Sequence, residues 1–459
     1  MNQALIRGLG LVPATAIVVG GVIGTGVFLK ARVMTCNVGT PGMVIAAWVV
    51  AGLLSLTGAL TYAELAAMMP RAGGEYVFIR DAYGRVWGFL YGWTRFFVAS
   101  TGGFAGLAAG FAIFLNIASG GALAAQHSLV LPAVAAAAIV VVTLINCAAV
   151  RVGGRIAAVM AALKVTLVLG IGLGTFALAD GDWGHYAMSA AGGACDGVPA
   201  SARGGVAGFG AAMLGALWAY NGWNEVTFVA GEVKNPGRNL PIAIIGGILI
   251  LASLYVLANV SYFYVLAPAA VASVTVSSAV ATKAVMTFLG NGAAGIMAAA
   301  LAMSVFGSLQ VTTLSSARIP YAMAEDRLFF PALSRLSART HVPVRALVAQ
   351  AVWGIVLVFS GSYDTLTDYA IFAVLIFVAL ATASVFVFRR TMPDADRAYR
   401  TIGYPVVPIL FLLVAGWIIA NTLMATPGRA FAGIGLMVAG LPFYWYWSRQ
   451  EQGSAAKTS

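Results

Sequence analysis

The chain has 459 residues, of which 61% are hydrophobic and 9% are charged, and its formal net charge is +11. Soluble domains carry about 25% charged residues, so this composition excludes a soluble globular protein and indicates an integral membrane protein. Three cysteines and three histidines are too few or too widely spaced for a disulfide framework or a metal centre.

About twelve segments are long and apolar enough to span a bilayer. No segment between them is large enough for a soluble domain, so we expect one polytopic domain over residues 1–459. The predicted spans begin near Leu9, Gly42, Trp87, Leu129, Ile156, Val206, Pro241, Gly290, Ala346, Leu366, Tyr404 and Ala430.

The first span contains VVGGVIGTGVFL, residues 18–29, in which four glycines weaken the helix. An unpaired backbone group in lipid costs several kcal/mol, so a break is tolerated only where protein or a water-filled cavity covers it. Close helix packing is the alternative use of such glycines, and we expect only that role for the glycines of the third span.

Basic residues predict the orientation of the spans. Most of them, including Arg7 and Lys457 in the two tails, lie in the tails or in loops after even-numbered spans. The positive-inside rule therefore places both termini in the cytoplasm. The positive charge then indicates contact with anionic membrane lipid, and we expect no nucleic-acid partner. The opposite face holds Lys30, Arg32, Arg203, Lys283 and Arg429.

Lys164 lies about eight residues inside the fifth predicted span, which makes it a candidate functional residue by default. The alternative is a side chain that bends back to the headgroups.

The sixth span contains LWAYNGWNEVTF, residues 217–228, which Asn221 and Gly222 interrupt. Two broken spans five spans apart are typical of transporters built from two inverted repeats, with the binding site where the breaks meet. The predicted repeats cover residues 9–178 and 206–388. Two extra helices over residues 404–447 and a polar tail over residues 448–459 follow.

The two breaks offer complementary backbone groups. The half-helix that starts after Gly24 presents free N–H groups to a carboxylate, which Thr25 and Gly26 would hold. The half-helices that end at Ile23 and near Tyr220 leave carbonyl groups that suit an ammonium. An amino acid is the most economical ligand for the candidate binding residues, which are Val22, Ile23, Gly24, Thr25, Gly26, Trp218, Ala219, Asn221 and Gly222.

Four segments carry a resemblance to a known family: GGVIGTGVF, YAELAAMMPRAGGEYVFIRDAYG, LWAYNGWNEVTFVAGEVKNPGRNLPIAI and FGSLQVTTLSSARIPYAMAEDR. Together they resemble the L-type amino acid transporters of the amino acid, polyamine and organocation superfamily. The resemblance implies a LeuT-like five-plus-five core with two extra helices and alternating access. It also implies sodium-independent transport, usually by obligatory exchange of neutral L-amino acids, with no cofactor.

The same resemblance implies roles for three side chains. Trp218 matches the aromatic gate over the substrate, with simple packing against lipid or protein as the alternative. Lys164 matches a family lysine whose ammonium occupies the place that sodium takes in related symporters. Tyr255 matches a tyrosine that works with that lysine, although a packing tyrosine is also compatible with its position.

The sequence also departs from the family in informative places. Relatives that carry cationic substrates tend to have an acidic residue where this chain has Asn224, which favours a neutral substrate. The adjacent Glu225 leaves a cationic substrate as an alternative. Residues 119–128 lack the cysteine that bonds a heavy chain in eukaryotic relatives. We therefore expect a bacterial-type protein of the inner (plasma) membrane without a heavy-chain subunit. Cys36 and Cys195 are both expected to face outside, where we expect two free thiols, with a bridge between them as the alternative.

Other charged groups have structural interpretations. Glu64 and Glu232 are expected to pair with cytoplasmic arginines. Arg95 either forms a salt bridge inside the bundle or reaches the cytoplasmic interface. Residues 71–85 are predicted to form an interfacial helix that closes the inner side.

Three other functions are alternatives to amino acid exchange. Proton-coupled symport of neutral or cationic amino acids is compatible with Lys164, and an amino acid sensor on the same scaffold would keep the site. A membrane enzyme is not expected, because no cluster of histidine and carboxylate groups lies within the spans. The sequence predicts neither the particular amino acid nor the oligomeric state.

Overall fold

The computed structural model describes residues 5–275, 279–290, 292–361, 363–425 and 427–455. Its regular elements there are helices, apart from one isolated bridge between Leu9 and Val233. Residues 1–4 and the end of the predicted tail, including Lys457, lie outside the described residues.

The helices follow the predicted order along the chain. The first eight are α1 (Leu11–Val22), α2 (Gly26–Val38), α3 (Pro41–Met68), α4 (Glu75–Tyr83), α5 (Arg85–Thr94), α6 (Ser100–Ala118), α7 (Val130–Cys147) and α8 (Val150–Leu178). The next eight are α9 (Gly205–Ala219), α10 (Pro236–Val265), α11 (Pro268–Ala272), α12 (Val280–Leu289), α13 (Ala293–Ser316), α14 (Arg318–Glu325), α15 (Val344–Ser360) and α16 (Tyr363–Thr391). The last three are α17 (Val406–Ala425), α18 (Pro427–Val438) and α19 (Leu441–Ala455).

Nine helical segments of the described residues are long and apolar enough to cross a membrane, and the bent pair of α1 and α2 makes a tenth span. The sixth and ninth predicted spans fall on α9 and α15, which have 15 and 17 residues. The fifth span begins at Val150, before the predicted Ile156. The reason is that Arg151 and Arg155 are exposed in the first turns of α8, where long basic side chains extend from an apolar helix into water.

Both predicted breaks are present. α1 ends at Val22 and α2 starts at Gly26, with a bend of 40° between them. α9 ends at Ala219, and the chain resumes as a 3₁₀ helix over Trp223–Glu232 rather than as an α-helix. Gly222 separates these two pieces at φ +110°, a conformation that residues with a Cβ rarely adopt.

Buried carboxylates join the helices on the predicted cytoplasmic side. Glu64 Oε2 lies 2.8 Å from Arg389 Nη2, and Glu64 Oε1 lies 3.2 Å from Arg397 Nε. Glu232 Oε1 lies 2.7 Å from Arg318 Nε, and neither side chain is exposed. The prediction that Glu64 and Glu232 pair with arginines is confirmed.

Arg95 takes the first of its two predicted alternatives. Its Nη2 lies 3.2 Å from Glu75 Oε2, so it forms a salt bridge inside the bundle, at the start of a π-helix over Arg95–Ala99 that joins α5 to α6. Glu75 opens α4, the helix predicted within residues 71–85. Its carboxylate also accepts hydrogen bonds from the hydroxyls of Tyr62 at 2.6 Å and Tyr91 at 2.7 Å.

The expectation of two free thiols at Cys36 and Cys195 is wrong, because the two residues form a disulfide. The chain between α8 and α9 folds back onto the end of α2, so residues 159 positions apart come together. Asn37 Nδ2 donates to Ala202 O at 2.6 Å, and Arg32 donates to Asp196 O. α2 is thereby tied to the predicted external loop at several points.

We predict that Glu232→Gln destabilises the fold strongly, because it leaves the wholly buried Arg318 guanidinium without its counter-charge. Breaking a buried pair from one side costs about 3–5 kcal/mol, which should appear as a lower thermal unfolding midpoint in detergent. Asp394→Asn, which removes a negative charge from an exposed position, is the control. Equal midpoints for the two variants would contradict the assignment.

Candidate functional site

A lysine side chain from α8 binds the end of α1. Lys164 Nζ donates to Gly20 O at 2.6 Å and to Ile23 O at 2.7 Å, and it lies 2.7 Å from Ser308 Oγ. The last carbonyls of a helix lack intrahelical partners and lie at the negative end of its dipole. An ammonium has three donors and no acceptor, so these three oxygens match it. A tethered cation therefore holds the first break.

Close packing brings the ammonium to this position. Lys164 is wholly buried near the middle of α8. A Cβ on Gly307 of α13 would lie only 2.9 Å from Lys164 Cε, so α13 passes close to the lysine side chain. Because the ammonium binds backbone and serine oxygens inside the bundle, the alternative of a lysine that reaches the headgroups is excluded.

Tyr255 of α10 connects the two breaks. Its hydroxyl lies 3.2 Å from Val22 O at the end of α1 and 3.1 Å from Ala219 O at the end of α9. The side chain is wholly buried, and its ring contacts Trp48 and Tyr220 with centroid distances of 5.1 and 5.0 Å. One hydroxyl carries one hydrogen, so it donates to one of the two carbonyls at a time.

The two breaks lie against each other. A Cβ on Gly26 would lie 2.5 Å from Ala219 Cβ, and one on Gly222 would lie 3.5 Å from Gly21 O. The structure therefore brings together the two groups of predicted binding residues, residues 22–26 and residues 218–222.

The start of α2 offers donors to an anion. Thr25 O accepts from the backbone N–H groups of Phe28 at 3.2 Å and Leu29 at 3.1 Å, which starts the first turn. The N–H groups of the first residues of a helix have no partner within it. Gly24 and Thr25 are only half-buried, so this positive helix end is accessible to a carboxylate.

The carbonyl of Ile23 does not remain unpaired, contrary to the expectation from sequence. It accepts from Lys164 Nζ, from Ser304 Oγ at 3.2 Å and from Ser308 Oγ at 3.2 Å. Its lone pairs are thus committed to protein donors. The carbonyl end of α1 is satisfied mainly by side chains of α8 and α13, which leaves the segment around Asn221 as the better place for a substrate ammonium.

Trp218 occupies the last turn of α9 and is 45% exposed. Its Cζ3 atom would lie 3.7 Å from a Cβ on Gly26, and Lys30 Nζ of α2 lies 4.6 Å from the centre of its ring. The exposed indole therefore lies between the start of α2 and a lysine ammonium. Asn221, one turn further along, is exposed as well.

A family model described as "Amino acid permease" matches residues 9–446. The chain belongs to the amino acid permease family.

Curated relatives extend over the whole chain. The b(0,+)-type amino acid transporter 1 of Mus musculus is 28% identical over 100% of this chain and 91% of its own length. The serine/threonine exchanger SteT of Bacillus subtilis is 29% identical, with 97% of each chain covered. The large neutral amino acids transporter small subunit 2 of Homo sapiens is 29% identical over 98% of this chain and 82% of its own length.

These matches confirm the resemblance to the L-type amino acid transporters. The protein is a multi-pass membrane transporter rather than an enzyme. Its fold is the helical LeuT-like arrangement of that superfamily, with the first and sixth spans broken.

Asn224 and Glu225 face different partners in this family member. Asn224 Nδ2 donates to Glu75 Oε1 at 2.5 Å, away from the break. Glu225 accepts from Ser315 Oγ at 2.8 Å and from Thr312 Oγ1 at 3.3 Å. A Cβ on Gly21 would lie 3.8 Å from Glu225 Oε2, so this carboxylate lies beside the end of α1.

The polar face of α13 was not predicted from the sequence. Four hydroxyl side chains of this helix donate to, or accept from, groups at the breaks. Three of them follow each other at intervals of four residues, which places them on one face of an α-helix. That spacing is the signal that identifies them, and the four residues are Ser304, Ser308, Thr312 and Ser315.

We predict that Trp218→Ala lowers kcat/KM for exchange by about tenfold, because the substrate loses an aromatic surface beside the break. Trp218→Phe should retain more activity, since the aromatic face remains. The measurement is the initial rate against substrate concentration in proteoliposomes, normalised to folded protein. Trp87→Ala is the matched control, since Trp87 is 41% exposed on α5. Equal kinetics for Trp218→Ala and Trp87→Ala would remove Trp218 from the site.

Proposed function

We propose that the protein is a sodium-independent exchanger of neutral L-amino acids that works by alternating access. The observation that carries this proposal is the position of Lys164 Nζ, bonded to Gly20 O, Ile23 O and Ser308 Oγ. A permanently attached ammonium supplies the positive charge that these oxygens need, so no free cation has to bind there in each transport cycle.

The backbone around the breaks supports an amino acid as the substrate. The start of α2 attracts a carboxylate through Thr25 and Gly26. Carbonyl groups around Asn221 and Gly222 attract an ammonium. Sites of opposite charge on two adjoining breaks recognise a zwitterion. We assign substrate binding to the full predicted set: Val22, Ile23, Gly24, Thr25, Gly26, Trp218, Ala219, Asn221 and Gly222.

We assign coupling to Lys164 and Tyr255 and the gate to Trp218. Lys164 binds α1 to α8 and α13, while the Tyr255 hydroxyl spans the carbonyls of Val22 and Ala219. A substrate that binds both breaks would change the distances within this set. Movement of α1 relative to α9 would then accompany binding.

A neutral substrate is supported by the position of Asn224, whose amide is bound to Glu75. The relatives include a serine/threonine exchanger and a large neutral amino acids transporter. Exchange of neutral amino acids is therefore the activity that we extend to this chain. We further propose that it works without a heavy-chain subunit.

We also propose the orientation and the repeat boundaries. The distribution of basic residues supports cytoplasmic termini and an inner (plasma) membrane location. One repeat covers residues 9–178 and the other residues 206–388. Residues 404–447 add two membrane spans outside the repeats.

Proton symport is the competing function, and Glu225 favours it. This carboxylate lies within the membrane-spanning core, and its hydrogen-bond partners are two hydroxyl groups of α13. An ionisable group at such a depth is a functional candidate. Exchange and proton symport are separated by their different requirements for internal amino acid and for a pH gradient.

We predict that uptake of a panel of labelled amino acids into proteoliposomes requires unlabelled amino acid inside, and that sodium does not stimulate it. Amino acid amides and the matching carboxylic acids should compete poorly, because each lacks one charge of the zwitterion. Sodium-dependent uptake would contradict the role of Lys164. Uptake into empty vesicles driven by a pH gradient would replace exchange with proton symport.

A further inference from the structure

Lys30 is a cation beside Trp218 that the proposed transport mechanism does not use. It lies four residues after Gly26 in α2, and residues four apart share one face of a helix. Four residues correspond to about 6 Å along the helix axis. The side chain therefore projects from the same face as the helix start that we assign to the substrate carboxylate.

The contacts of Lys30 direct its charge toward the site. Its Nζ lies 4.6 Å from the centre of the Trp218 ring, a cation–π distance. In the part of the chain that the structure describes, Lys30 forms no ion pair with a carboxylate. Arg32, the other basic residue of α2, instead donates to a carbonyl of the external loop.

Positive charge consequently accumulates around the first break. The start of α2 contributes the positive end of its dipole, Lys30 adds a full charge one turn away, and Lys164 lies at the end of α1. This field attracts the carboxylate that every amino acid carries. It repels a second ammonium or a guanidinium on a substrate side chain.

We propose that Lys30 is a specificity-determining residue, which excludes cationic amino acids from the site and holds the Trp218 indole beside α2. This inference rests on the proposed function, because it concerns which amino acids that same site accepts. Glu225 lies beside Gly21, at the end of α1, whereas Lys30 lies at α2. A cationic side chain that passes Trp218 meets Lys30.

Lysine and norleucine test this inference, because they differ in one ammonium at the end of similar side chains. Each competes against the labelled amino acid that the wild-type protein exchanges best. Lys30→Gln should strengthen inhibition by lysine by about tenfold relative to norleucine, since it removes one unit charge near the substrate. Lys30→Arg should keep the wild-type ratio. Lys283→Gln, which removes an exposed lysine, should also leave the ratio unchanged.

Two outcomes would overturn the inference: a wild-type protein that accepts lysine as well as norleucine, or a Lys30→Gln ratio equal to that of Lys283→Gln. The increase in thermal unfolding midpoint that lysine and norleucine each produce in detergent compares their binding without transport. This measurement therefore also tests a variant that binds substrate but does not transport it. The proposed function is judged separately, by exchange of neutral amino acids in the wild-type protein. If the proposed function is wrong, the wild-type protein does not exchange neutral amino acids. If only this inference is wrong, neutral exchange remains and only the expected inhibition by lysine relative to norleucine is not observed.

Discussion

The hydrogen bonds between the Lys164 ammonium and the last carbonyls of α1 are the interactions on which the rest of the site depends. A helix that ends within a membrane exposes carbonyl groups that hydrocarbon cannot satisfy. Lys164 supplies donors to two of them, at Gly20 and Ile23, and Ser308 completes the set. Because the cation is covalently attached, the break is stabilised whether or not substrate is present.

Lys164 and Ser308 satisfy the last carbonyl groups of α1, so the N–H groups at the start of α2 are left for a ligand. The carbonyls of Val22 and Ala219 share the hydroxyl of Tyr255, which couples the end of α1 to the end of α9. The N–H donors at the start of α2 follow shortly after Val22 in the chain, where Gly24 and Thr25 are half-buried. A ligand that binds them therefore contacts a backbone whose geometry depends on the lysine and the tyrosine.

Local sequence predicted the breaks and the lysine because their signals are local. Glycines within an apolar run, an Asn-Gly pair and a lysine deep in a span each identify a position without knowledge of the fold. The serine partners of Lys164 and of the Ile23 carbonyl were not predicted, since Ser308 and Ser304 become relevant only when one face of α13 turns toward α1. The disulfide was missed for the same reason, because only the folded external loop brings Cys195 to Cys36. The Glu75 cluster of Tyr62, Tyr91, Arg95 and Asn224 likewise depends on contacts between distant segments.

The most direct measurement of the central claim is the exchange rate of Lys164→Met in proteoliposomes, since methionine has a similar length but no charge. If the ammonium holds the broken span, this variant should exchange at less than about one tenth of the wild-type rate, because a charge-assisted hydrogen bond contributes about 1.5–3 kcal/mol. Circular dichroism and gel filtration would establish that the variant is folded and monodisperse. A folded Lys164→Met protein that exchanges amino acids at the wild-type rate would contradict the account.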